Sequence, residues 1–147
     1  MIGDLRQKLL GHLRFFESEL GDADRFVRLT KADYLSDNDR RRSVERWAEN
    51  LINSIIDVAK IVLTIERIPL GDSYREIVES LGLVKEFSGF DMKQIASWVR
   101  LRNVLAHEYL DVRWRSLEKF ILDAPARSGE FLECAKKYLP RISSEKN

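Results

Sequence analysis

One cysteine, Cys134, cannot close an internal disulfide, and this excludes the small stapled scaffolds of secreted proteins. The thiol is expected to be buried and structural in a reducing compartment. With only 3 Pro and 7 Gly the chain has too little punctuation for many short strands, so long helices are favoured. No apolar run approaches the roughly 18 residues that would span a bilayer. The start of the chain, Met1 to Leu10, alternates charged and apolar residues and lacks a signal-peptide core. A cytoplasmic protein without a membrane is therefore expected. Two histidines far apart, His12 and His107, and one cysteine leave too few ligands for a zinc site. The sequence also lacks a phosphate loop, a dinucleotide-binding glycine pattern and a nucleophile elbow. No cofactor is expected. A formal net charge of +1 provides no global basic field, so any nucleic-acid binding must come from a local patch.

What is present is the composition of a globular domain. Hydrophobic residues make up 44% and charged residues 33% of 147, enough to bury a core in a single unit over 1–147, with a polar tail after about 140. No repeat or linker divides it. The pattern predicts an all-α, up-and-down bundle of about five to six helices with one long spine. Apolar residues at Leu5, Leu9, Leu13, Phe16 and Leu20 define the first helix, closed by Gly21. A short second helix is expected from Asp22 to about Leu29, and a loop from Lys31 to Asn38. From Asp39 onward, Val44, Trp47, Leu51, Ile55, Val58 and Val62 repeat with a period near 3.6, which makes the spine. The β-branched residues toward Ile68 would allow a strand there, but the helical period continues through them. A further helix opens at Asp72 or Ser73 and stops at Gly82, and Asp91 caps the next. The last helical region, Arg113 to Leu139, is expected to be split by Pro125.

The segment Met92 to Val112 carries the chemistry. Read as one helix at about 100° per residue, it places Arg102 in the middle of an apolar arc with Tyr109 next to it. A guanidinium does not lose its proton, so burial there calls for a carboxylate, a phosphate or a hydrated interface. An internal salt bridge is the ordinary explanation. His107 lies beside Asn103, outside the arc. Arg102 and His107 point about 140° apart on an ideal helix. Either the helix ends between them or the site is composite, built from two copies of the segment in a symmetric dimer. Arg100, Arg102, Arg113 and Arg115 outnumber Glu108 and Asp111 nearby, a small positive patch suited to a phosphate backbone. Trp98 and Trp114 have the spacing of core residues rather than of base-stacking platforms.

The string from Arg102 to Tyr109, RNVLAHEY, reads R-x4-H-x-Y with Asn after the Arg. It resembles the signature of the HepT-like proteins of the HEPN superfamily, and the order of helices resembles that family over most of the chain. The resemblance implies a metal-independent endoribonuclease, the toxin of a toxin–antitoxin pair, acting on RNA as a helical homodimer whose cleft gathers the motif from both subunits. Carried over by residue, Arg102 would hold the scissile phosphate, His107 would move a proton, and Asn103 would orient the arrangement. Tyr109 would be the tyrosine that a minimal nucleotidyltransferase antitoxin of the MntA type modifies with AMP. The family also places an acid on the long helix facing the cleft, for which Asp57 is the first candidate and Glu49 the second.

Two other readings stay open at this stage. One is a non-catalytic helical subunit that partners a nucleotidyltransferase, with nucleotide as a candidate ligand. The other is a plain structural bundle in which Arg102 is neutralised by an acid of its own chain.

Overall fold

The computed structural model describes residues 1–146, with side chains through residue 142. Among these residues there are helices and short 3-10 turns but no strand, so the all-α bundle forms as expected. The helices are α1 (Ile2–Gly21), α2 (Lys31–Ser36), α3 (Asn38–Ile65), α4 (Tyr74–Ser80), α5 (Met92–Ser97), α6 (Val99–His107) and α7 (Leu110–Lys146). Of the described helices, none is long and apolar enough to cross a membrane.

The spine is α3, 28 residues long. Asp37 caps its start, with a side-chain oxygen accepting from the backbone N–H groups of Asp39 and Arg40 at 3.0 and 3.1 Å. It is helical through Ile61 and Val62 and ends at Ile65. Burial of Val58, Ala59, Val62 and Leu63 outweighs the weak helix propensity of the β-branched residues. The spine packs most extensively on α1, and also on α4, α2 and α6. Trp47 ties the first of these contacts. Its indole N–H donates to the Glu19 carbonyl at 2.8 Å, satisfying an acceptor in the last turns of α1. Edge-to-face rings then link the elements. Phe16 meets Phe131 at 5.6 Å between centroids, and Phe120 meets both Trp47 at 5.7 Å and Trp98 at 5.2 Å.

Four expectations need correction. Lys31 to Asn38 is not all loop, because α2 occupies most of it. Thr30 caps this helix by accepting from Asp33 N–H at 3.1 Å, and Tyr34 is fully buried. Six residues are too few to show a period, so the cap and one aromatic were the only signals. Conversely, the expected helix from Asp22 to Leu29 reduces to a single 3-10 turn, Ala23–Arg25. The segment Met92 to Val112 is not one helix: it breaks at Trp98, ends at His107 and restarts at Leu110. Finally, α7 runs unbroken through Pro125 and Pro140. A proline inside a helix costs about 3 kcal/mol, but Ile121, Ala124, Phe131, Leu132 and Ala135 are buried on either side of Pro125, and that burial exceeds the loss.

Candidate active site on α6

The break at Trp98 sets the geometry of everything after it. Its indole is buried against Phe120. Around it the backbone tightens, with Trp98 N–H bonded to the Ile95 carbonyl at 3.0 Å and Leu101 N–H to the Trp98 carbonyl at 2.9 Å. The phase of α6 is thereby reset. Leu101 and Leu105 take the buried positions, and Arg102 moves from the centre of the apolar arc to its half-buried edge. The expectation of a central Arg102 assumed an unbroken helix and fails for that reason.

From that edge Arg102 lines a groove of about 900 Å³ between α3, the start of α4, and α6. Asn103 lines it from the same helix, with Glu49 and Asn53 contributed by α3 and Tyr74 by α4. The guanidinium lies over the Tyr74 ring, 5.0 Å from its centre. Among the described residues it has no hydrogen bond and no carboxylate within ion-pair distance. The salt-bridge explanation for Arg102 is therefore not met. A half-buried cation whose one partner among the described residues is a ring face keeps its five N–H donors available for an anion.

The remaining motif residues lie outside this groove. His107 is the last residue of α6 and is exposed. Tyr109, in the turn to α7, is 87% exposed. Because α6 is continuous from Val99 to His107, the helix does not end between Arg102 and His107. The two side chains thus leave the same helix about 140° apart. Asp57 does not reach the groove; its carboxylate faces His12 on α1, 3.8 Å from Nδ1. Glu49 does reach it. Trp98 and Trp114 are both buried, as core residues should be. Burial also raises the pKa of the half-buried Cys134 thiol. Among the described residues, no group of His, Cys, Asp and Glu side chains could hold a metal ion.

Sequence reasoning missed the device that holds the motif turn. Arg113, counted only as a positive charge, donates from Nε to the Glu108 carbonyl at 2.8 Å. Its Nη1 reaches the Glu45 carboxylate on α3 at 3.5 Å. Glu45 also accepts from the buried Tyr34 hydroxyl. Burial, and then the bond to Glu45, raise the Tyr34 pKa, so the phenol stays a donor. One guanidinium therefore pins the Glu108–Tyr109 turn to the spine. No local pattern could reveal a partner 68 residues away.

The fold and groove define a class: an all-helical domain whose groove presents a guanidinium and an amide, with no acid paired to that guanidinium among the described residues. The chain belongs to the HepT-like ribonuclease family, since the family model described as ribonuclease HepT-like matches residues 16–124. That span runs from within α1 to Ala124 in α7 and contains the whole motif. It makes the protein a HEPN-type ribonuclease with RNA as its substrate class. No curated protein matches the chain.

Proposed function

We propose that this protein is a metal-independent endoribonuclease toxin that cleaves RNA through the RNA's own 2′-hydroxyl. The observation that carries the reading is Arg102, a half-buried cation without an acid partner among the described residues, facing a groove beside Asn103. Its forked donors match a phosphate and strengthen as charge builds on the pentavalent intermediate. His107 takes the proton from the 2′-hydroxyl, and the 2′-oxygen attacks phosphorus. The P–O5′ bond breaks, the 5′-oxygen takes a proton from water, and a cyclic phosphate remains. Base and clamp suffice for the step once they are positioned. Asn103 orients the phosphate from the turn beside Arg102. Glu49, which lines the groove, fits the acidic supporting role better than Asp57, which is engaged with His12.

Arg102 and His107 diverge on one unbroken helix, and this supports a site composed across a homodimer, with the guanidinium from one subunit and the imidazole from the other. Tyr109 is the most exposed aromatic of the motif region, two residues from His107. A nucleotidyltransferase antitoxin that adds AMP there would place bulk and negative charge at the RNA entrance and shut the enzyme off. The setting we infer is a cytoplasmic toxin–antitoxin pair.

The direct test is RNA cleavage by the purified protein in excess EDTA. Wild type is expected to cleave, and His107→Ala to keep its helical circular dichroism while losing at least a hundredfold in rate, the scale of a general base. Cleavage by His107→Ala at the wild-type rate would refute the assignment.

A further inference from the structure

Arg102 is not the only cation at Tyr74. Lys60, from α3, places its ammonium 4.8 Å from the centre of the same ring. Three elements thus converge: the spine, the first residue of α4, and the motif helix. Tyr74 is 43% exposed, and its hydroxyl makes no hydrogen bond among the described residues. Lys60 and Arg102 are both half-buried, and neither has an acid within ion-pair distance among the described residues. This sets them apart from Arg75, paired with Glu79, and Arg113, paired with Glu45. Glu49 and Asp72 line the groove but contact neither cation.

Two like charges gathered on one ring repel each other, and the ring's negative face offsets only part of that repulsion. The arrangement is complementary to an anion with more than one charge. Each cation is about 5 Å from a shared centre, so the two charges lie within about 10 Å of each other. A single nucleic-acid strand carries a phosphate for roughly every 3.4 Å of axis, so neighbouring phosphates fit that span. We propose that Lys60, Tyr74 and Arg102 form a two-phosphate subsite for one RNA strand, in which the Tyr74 ring positions both cations. The proposal rests on the ribonuclease reading and adds to it the direction of the strand, from α6 across α4 toward the spine. Lys60 binds the phosphate next to the one that reacts, and Tyr74 is a positioning residue.

The probe is a short oligouridine, 2′-O-methylated throughout so that it cannot be cleaved, titrated by fluorescence anisotropy over a series of salt concentrations. Lys60→Gln is expected to weaken binding about five- to tenfold at low salt. It should also make the slope of log affinity on log salt shallower by about 0.7, the loss of one phosphate contact on a single strand. Tyr74→Leu should lose at least as much, and Tyr74→Phe, which keeps the ring, should recover the affinity to within about twofold. A purely structural tyrosine would change stability without changing the salt slope. The seat itself is read without RNA: the Arg102 Nε–H resonance should show a ring-current displacement that Tyr74→Leu abolishes. If wild type cleaves RNA but Lys60→Gln has its affinity and slope, the subsite is wrong and the nuclease stands. If wild type neither binds the probe nor cleaves RNA, both fall together.

Discussion

Arg67 has a φ of 58°, the only positive φ at a non-glycine residue among those described. It follows the end of α3, where the Ile68 N–H reaches back to the Leu63 carbonyl at 2.9 Å, the long bond of a Schellman stop. A side chain in that conformation costs about 1–2 kcal/mol, and a glycine regains most of this less its larger unfolded-state entropy. Arg67→Gly is therefore expected to stabilise the protein by about 0.5–1 kcal/mol, read as a rise of roughly 2–4 °C in Tm. A fall in Tm would show that the Arg67 side chain contributes more than its backbone costs. The same scale shows how far residue identity was legible. Arg102, Asn103, His107 and Tyr109 were nominated by type, spacing and likeness to a family signature, and they form the proposed site. Tyr74 and Lys60 were not, because an exposed tyrosine and a spine lysine have no signature until the ring that joins them to Arg102 is in place.

At the scale of elements, the motif depends on a turn only two residues long. Glu108 and Tyr109 join α6 to α7, and Arg113 clamps them by bonding the Glu108 carbonyl and the Glu45 carboxylate. Lysine at this position keeps the charge but not the fork, so it cannot make both contacts. Arg113→Lys is expected to fold with a loss of about 1 kcal/mol, the value of a partly exposed pair and one hydrogen bond. Its kcat should fall about tenfold with KM little changed, because His107 and Tyr109 lose their fixed direction while the groove at Arg102 is untouched. Equal effects on KM and kcat would argue that the clamp is structural only. Helix placement was legible where apolar residues recur over several turns, as in α1 and α3. It failed for α2, which is held by one cap and one buried tyrosine, and at Trp98 and Pro125. At both of those positions tertiary burial decides whether the helix breaks.

At the scale of the whole molecule, the unbroken α6 turns a question of residues into one of assembly. A site that takes Arg102 from one subunit and His107 from the other can be rebuilt from two dead variants. Mixing Arg102→Ala with His107→Ala, after denaturation and refolding together, is expected to restore about a quarter of wild-type activity: half of the dimers would be mixed, each with one intact site. No recovery beyond the sum of the separate variants would place both residues of the site in one chain.

By itself the sequence determined that the domain is helical, where its spine lies, and which side chains to propose for holding a phosphate and taking a proton. Periodicity and residue type are local properties, and these facts need nothing more. Only the tertiary structure decided that Arg102 lacks an acid partner among the described residues, that Asp57 faces His12 while Glu49 reaches the groove, and that Lys60 and Arg102 share one ring. These are contacts between residues distant along the chain. They follow from how α3, α4 and α6 pack, which no window of sequence contains.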